Sequence, residues 1–340
     1  MGFNEIDFYG KQIGLEQIDE TLKQFDEQAR ISGSPIVVDF THNQLTDECI
    51  SKLSPLILDP RVQEIRFDNN HLTDHGINIL CRLLAQRAIP LKALSLSGNT
   101  LQEAGVNSVV RFLLSATGAE LTFLGLESCN ITAQGTAALC AALSNNRSLK
   151  TLKLNSNPIQ QGVKQIAEFL YQNSTLETLQ LCQCSLDPEN TKFLGIALKR
   201  NNSLLELNLD SNELNEDVVT SLIEDLIFNN KLQTYIGPDI QGQIAAICER
   251  NRTLPCNARW LPTYNPDTTL EQRMAALILD TPAGADDTLQ FQCTRSALRT
   301  GAFQQFCSAS PSLSETIASA SYSEACHTTV KRTRTKTIGK

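Results

Sequence analysis

The chain has 340 residues, with 29 Lys and Arg against 37 Asp and Glu, a formal charge of −8, and 11 cysteines. The acid excess argues against a general nucleic-acid binder, which presents a basic face, and no run of about 18 apolar residues is present to span a membrane. An odd cysteine count at scattered spacing reads as free thiols in a reducing, cytoplasmic compartment rather than a disulfide framework.

Residues 1–34 read as a degenerate first unit and cap. Ile6, Phe8 and Ile13 alternate as on a strand and turn, and Leu15, Ile18, Leu22 and Phe25 follow at helical spacing. The N-terminal segment lacks the basic and apolar regions of a secretory leader. Ile6 also stands where an N-myristoylation signal needs Ser or Thr. A repeating frame occupies residues 35–253. Val38, Phe40, Asn43 and Leu45 open it, with a helix expected over 47–58, and Val62, Ile65, Phe67, Asn70 and Leu72 continue it. Five stricter matches follow: Leu91-Leu94-Leu96-Asn99-Leu101, Leu121-Leu124-Leu126-Cys129-Ile131, Leu149-Leu152-Leu154-Asn157-Ile159, Leu176-Leu179-Leu181-Cys184-Leu186 and Leu204-Leu207-Leu209-Asn212-Leu214. The alternating leucines place one face of a short strand in a core. The ninth position, Asn or Cys, turns inward at the bend. There an Asn amide can satisfy main-chain groups left unpaired, and a Cys is a small, mostly apolar substitute. The structural ladder is therefore Asn43, Asn70, Asn99, Cys129, Asn157, Cys184 and Asn212.

Asn145-Asn146, Asn173, Asn201-Asn202 and Asn229-Asn230 close the expected helices, where Asn suits a left-handed C-cap. At Leu232-Gln-Thr-Tyr235 the frame is lost, and a short helix over 241–249 ends the last, modified repeat. Residues 254–307 read as a helical C-terminal cap. Trp260 lies there among prolines, a capping box opens at Thr268, and a further helix is expected between Thr288 and Cys307. Residues 308–340 are rich in Ser, Ala and Thr and end in Lys331, Arg332, Arg334, Lys336 and Lys340 with no acid among them. Such a segment is expected to be a disordered tail, its basic run an address, a lipid contact or a plain solvated end.

The L-x-x-L-x-L-x-x-N/C-x-L frame, with starts 27–30 residues apart and Asn alternating with Cys, resembles the ribonuclease-inhibitor class of leucine-rich repeats. The resemblance covers the first three quarters of the chain. It implies an α/β solenoid, a horseshoe with parallel strands on the concave face and helices on the convex face. It implies no single function, because this scaffold hosts many.

Loops and motifs of catalysis are missing: there is no phosphate-binding G-x-x-x-x-G-K-[ST], no H-E-x-x-H and no G-x-S-x-G. The Cys182–Cys184 pair lacks a second ligand pair, and His42, His71 and His75 occupy different points of the repeat, so no metal and no cofactor is expected. Cys326-His327 lies in the tail, where a nucleophile cannot be held in geometry. What remains is the concave face, whose side chains by frame include Arg66, Asp68, Phe123, Glu127, Lys153, Asn155, Asn208 and Asp210. Mixed charge without a repeated residue suits one folded protein rather than a polymer. An aromatic anchor, Phe123, flanked by Arg66 and Lys153 is similar to an interface hot spot.

The expectation is a monomeric protein-binding module and not an enzyme. The tail resembles the C-terminal translocation signals of leucine-rich-repeat effectors of intracellular bacteria. That resemblance implies a virulence effector, delivered by a type IV system and acting on a host protein in host cytoplasm. Two alternatives stand beside it. One is a eukaryotic cytosolic regulator, similar to immune sensors or to the GTPase-activating protein of the Ran GTPase. The other is an enzyme with its chemistry in residues 254–307.

Overall fold

The computed structural model describes residues 4–31 and 35–253. Among the described residues nine strands form one parallel sheet in strict chain order. They are β1 Asn4–Asp7, β2 Ile36–Asp39, β3 Val62–Arg66, β4 Ala93–Ser95, β5 Phe123–Gly125, β6 Thr151–Lys153, β7 Thr178–Gln180, β8 Glu206–Asn208 and β9 Thr234–Ile236. Helices cross between them: α1 Ile18–Ile31, α2 Asp47–Lys52, α3 Ser54–Ile57, α4 Asp74–Ala85, α5 Glu103–Leu113, α6 Ala133–Leu143, α7 Val163–Gln172, α8 Pro188–Leu198, α9 Glu216–Leu226 and α10 Gln243–Thr253. The register pairs Ile6, Val38, Ile65, Leu94, Leu124, Leu152, Leu179, Leu207 and Tyr235 in one continuous row. This is the leucine-rich-repeat solenoid that the spacing implies. Each unit buries its apolar face only by stacking on its neighbours.

The core between sheet and helices holds the frame leucines, nearly all of them under 5% exposed. Burying one such side chain is worth about 1.5–3 kcal/mol. In the first three units the second core position is Phe rather than Leu. Phe8 stacks on Phe40 at 5.1 Å and Phe40 on Phe67 at 5.5 Å between ring centroids. These units carry a phenylalanine spine where later ones carry Leu96, Leu126, Leu154, Leu181 and Leu209.

After each of β2 to β8 the chain turns sharply, with a residue in the left-handed region at the bend. His42, Asn69, Gly98, Ser128, Ser156, Gln183 and Ser211 all have φ between +52° and +71°, and each directly precedes a ladder residue. A non-glycine residue there costs roughly 1–2 kcal/mol, so the inward side chain that follows must repay the bend. Asn157 does so fully. Its Nδ2 donates to the carbonyls of Leu126 and Leu154, both at 2.8 Å, and its Oδ1 accepts from the amides of Cys129 at 3.0 Å and Ile131 at 2.8 Å. Asn212 repeats the pattern onto Leu181, Leu209, Cys184 and Leu186. Asn43, Asn70 and Asn99 each donate to three carbonyls and accept one amide. Cys129 and Cys184 have no amide oxygen. Their Sγ reaches the carbonyls of Leu96 and Leu154, and the amides of Leu101 and Ile159 bond to the cysteine main-chain carbonyls instead. In both cysteine units the next residue, Asn130 or Ser185, is left-handed as well.

The structure departs from the sequence expectations in four places. The helix expected over 47–58 is broken at Leu53, whose ψ is 1°. Pro55 has no N–H to join the two pieces but fits the first turn of α3. The last helix starts at Gln243 rather than 241, because Gly242 is left-handed and the Asp239 carboxylate caps the amides of Ile244 and Ala245 at 2.9 and 3.0 Å. The frame is not lost at Tyr235, since β9 pairs in register with β8. Tyr235 fills the leucine position, with its hydroxyl on the Pro238 carbonyl at 3.0 Å.

The fourth departure is the largest. The helix-end asparagines are not left-handed caps, because Asn146, Asn173, Asn201 and Asn229 are all buried and form a second ladder on the returning side. Each Oδ1 accepts the amides two and three residues ahead at 2.8–3.0 Å. Asn201 and Asn229 also donate across units, to the Leu170 and Leu198 carbonyls. Arg87 serves the same side two units earlier, its guanidinium buried among the main-chain carbonyls of Ile57, Asp59 and Val62. The expected cap over 254–307, with Trp260 and its helices, and the tail over 308–340 lie outside the described residues.

Candidate functional site

Side chains that alternate with the core row stand on the open face of the sheet. The register sets them in rows. One runs Glu5, Val37, Glu64, Ala93, Phe123, Thr151, Thr178 and Glu206. The next runs Asp7, Asp39, Arg66, Ser95, Gly125, Lys153, Gln180 and Asn208. A third, just past the strand ends, holds Tyr9, Thr41, Asp68, Ser97, Glu127, Asn155, Cys182 and Asp210. The strand frame fixes these positions, and neighbouring units fix how far each side chain reaches out.

Val37, Asp39, Ala93 and Ser95 sit on this face yet are buried, at 4–9% exposure. Their frame positions imply solvent. They are short, and the longer residues of the next strands close over them. Arg66 closes over Asp39: its guanidinium meets Glu64 at 2.7 Å, Asp39 at 3.2 Å and Glu5 at 3.2 Å. Burial disfavours the charge on Arg66, but Glu64 and Asp39 outweigh it and hold the group above its ordinary value. Arg66 is therefore the hub of an internal ion-pair cluster rather than a free cation.

A chain of hydrogen bonds runs across the strand ends. Ser95 Oγ and the Ser97 amide donate to Asp68 Oδ1 at 2.6 and 2.7 Å. The Glu127 amide donates to Ser97 Oγ at 3.1 Å, and Asn155 Nδ2 donates to Glu127 Oε1. The Cys182 amide completes the chain on Asn155 Oδ1 at 2.7 Å. Burial pushes the Asp68 carboxyl above its ordinary range, against the pull of the Ser95 and Ser97 donors. Farther along, Asn208 donates to Gln180 at 3.1 Å and accepts the Asp210 amide at 2.9 Å, while the Asp210 side chain is exposed.

Between these two clusters Phe123 stands half-buried, with Lys153 Nζ 5.6 Å above its ring. The floor beside it is tight: a Cβ on Gly125 would meet Ser95 Oγ at 2.4 Å. The result is an aromatic ring and a cation over a low, packed floor. Of the residues singled out from sequence, Phe123 and Lys153 meet as a pair, Glu127 with Asn155 as another, and Asn208 with Asp210 as a third. Asp68 joins the Glu127–Asn155 pair through Ser97, whereas Arg66 is tied into its own carboxylate cluster.

The buried thiols are poor nucleophiles. Burial pushes Cys81, Cys129 and Cys140 up to about 12, and Cys184 and Cys248 up to about 11. Among the described residues no group of three or more His, Cys, Asp or Glu is placed to hold a metal, and no helix is long and apolar enough to cross a membrane. His42, His71 and His75 are exposed at separate points of the turns.

The comparisons with known proteins follow the repeat. No family model matches the chain. The ribonuclease inhibitor of Mus musculus is 32% identical over 193 residues, covering 56% of this chain and 42% of that protein. NACHT, LRR and PYD domains-containing protein 13 of Homo sapiens is 34% identical over 189 residues, covering 46% of this chain and 18% of its own length. The chain thus spans less than half of either relative. Among solved structures an internalin from Listeria monocytogenes covers 73% of this chain and 85% of its own, at 16% identity and a TM-score of 0.29.

Proposed function

We propose that this leucine-rich-repeat chain of the ribonuclease-inhibitor class works by binding, not catalysis, and grips one folded protein on the open sheet face with Phe123 and Lys153 at the centre of the contact. The observation that carries this is the pair itself. A large aromatic ring stands half-exposed beside buried Ser95 and Gly125, with a cation over it, in the middle of the face. Aromatic and cationic anchors ringed by near-neutral contacts are where interface energy concentrates. Glu127, Asn155, Asn208 and Asp210 supply the polar rim, and the protein acts as a monomer toward this partner.

The test is capture from eukaryotic cytosol with wild type and with a Phe123→Glu/Lys153→Glu variant, followed by titration of the captured protein against both. Loss of at least tenfold in affinity with unchanged melting supports the reading. Equal affinity moves the contact to the helix side.

Two settings for this binding have separate support. The Ser-, Ala- and Thr-rich, terminally basic composition of residues 308–340 supports a bacterial virulence effector, delivered by a type IV system to bind a host protein in host cytoplasm. The mammalian relatives, one of them named as an inhibitor, support a eukaryotic cytosolic regulator. Deleting residues 308–340 and measuring translocation into a host cell separates them, since only the first setting needs the tail for delivery.

A further inference from the structure

We infer that α7 and α8 carry a second binding surface, on the helix side, that takes an acidic amphipathic helix of a partner protein. This surface is separate from the sheet face and independent of the role proposed there. Its centre is Ile196, 51% exposed in the middle of α8, with Phe193 one turn before it, 43% exposed. Among the described residues the other large apolar side chains that stand exposed lie at helix ends, in turns and loops or at a strand end. Ile196 is the ninth residue of α8. The ninth residues of α4, α5, α6 and α9 are Arg82, Arg111, Ala141 and Glu224. That position is thus charged or small in the other four helices, and α8 alone of these five puts a branched apolar side chain there.

Two cations bracket Ile196. Lys164 Nζ, from the start of α7, lies 5.4 Å from the Phe193 ring centroid. Arg200, just past α8, reaches back to the end of α7. Its guanidinium carbon lies 5.5 Å from the Tyr171 ring centroid, and it donates to the Tyr171 hydroxyl at 2.7 Å. Along α8, Ile196 falls between these two aromatic–cation pairs. Such contact holds a cation in place without neutralising it. The neighbouring cations of α8 and its C-cap are matched by carboxylates, Lys192 by Glu189 and Lys199 by Asp225. Lys164 and Arg200 are both exposed, and among the described residues neither has a carboxylate within ion-pair distance. Glu168, one turn after Lys164, exerts its charge on Cys140 of α6, on the opposite flank of α7. The complement of this seam is an apolar ridge with a carboxylate at each end. Phe193 and Arg200 on α8, like Lys164 and Tyr171 on α7, are separated by two turns, roughly 10 Å at about 1.5 Å per residue. A helix with Glu or Asp at i and i+7 and large apolar residues at i+3 and i+4 presents its carboxylates at the same separation on one face. It would lie along the seam as an amphipathic helix lies in a groove.

The probe is a lactam-stapled helical peptide with Glu at i and i+7 and Leu at i+3 and i+4, titrated against the full chain by fluorescence anisotropy. Saturable binding is expected. It should weaken about tenfold when both Glu are Gln, and as much in Ile196→Asp, because a charge pair and a central apolar anchor each carry affinity of that order. A Lys164→Glu/Arg200→Glu variant should lose the Glu peptide and take up one with Lys at the same two positions. All three substituted residues are exposed, so melting should hold, and the gain of the Lys peptide cannot come from misfolding. Equal binding of the Gln peptide, no uptake of the Lys peptide by the exchanged variant, or no binding at all would overturn the inference. So would binding of vesicles of equal parts phosphatidylserine and phosphatidylcholine in place of the peptide, which would make the seam a membrane contact. The Phe123→Glu/Lys153→Glu variant separates the two surfaces, since it should bind the Glu peptide as wild type does. Loss of the peptide in that variant would place its site on the sheet face and remove the one on the helices.

Discussion

Asn157 meets five main-chain groups with one side chain. No other residue type offers two donors and an acceptor at that reach, which is why the position is Asn where the preceding unit's turn depends on its side chain. Asn157→Ala leaves buried amides and carbonyls unpaired and should cost about 1–3 kcal/mol. Chemical denaturation reads this directly, and an unchanged midpoint would remove the ladder role. Asp68 makes the opposite case. Its carboxyl is pushed above the ordinary 3.8, so the folded state favours the protonated form. A raised folded-state pKa gives stability that is complete below the unfolded value and is lost as pH rises through the folded value. Asp68→Asn keeps an acceptor for Ser95 and Ser97 and has no charge to lose. Its melting temperature should therefore gain on wild type as pH climbs from below 3.8 toward neutrality, and a difference that stays flat with pH would reject the assignment.

At the scale of the repeat, strand and turn are legible because their signal has a period: leucines at fixed spacing fix the core row, the register and the face of every strand residue. The returning side is less legible. Asn146, Asn173, Asn201 and Asn229 each stand three residues before a frame leucine, a spacing visible in the sequence. An Asn at a helix end, however, serves equally well as a left-handed cap, and only the path of the chain decides. It decides for burial: these four side chains bond the amides that open the next strand. The same burial removes three sequon asparagines, Asn146, Asn173 and Asn201, from reach of a glycan. A paired comparison tests the second ladder. Asn201→Ala should cost about 1–3 kcal/mol, because the Leu170 and Asn173 carbonyls and two amides lose partners. Exposed Asn202→Ala next to it should stay within about 0.5 kcal/mol of wild type. The break at Leu53 is a signal of the other kind: Pro55 is plain in the sequence, but a proline in a first turn and one ending a helix look alike until the geometry is known.

For the molecule as a whole, the frame made the open face readable as a list of positions but not as a surface. Which side chains stay accessible depends on the lengths of their neighbours across strands. Arg66 folds onto three carboxylates and Asp39 disappears beneath it, while Phe123 stays up because Ser95 and Gly125 beside it are small. Among the described residues the elements pack mainly on those of their own and adjoining units, so damage should spread by neighbours. Leu152 is the sixth of nine in the core row, 2% exposed between Leu124 and Leu179. Leu152→Ala should cost about 2–5 kcal/mol through the lost side chain and the cavity. Hydrogen exchange should then show protection falling most in β5, β6 and β7 and least in β1 and β2, because the phenylalanine spine of the first three units does not touch the cavity. An equal fall in all nine strands would mean that the chain unfolds as a single unit, and that its stability is not the sum of units and interfaces that the nine-strand order implies.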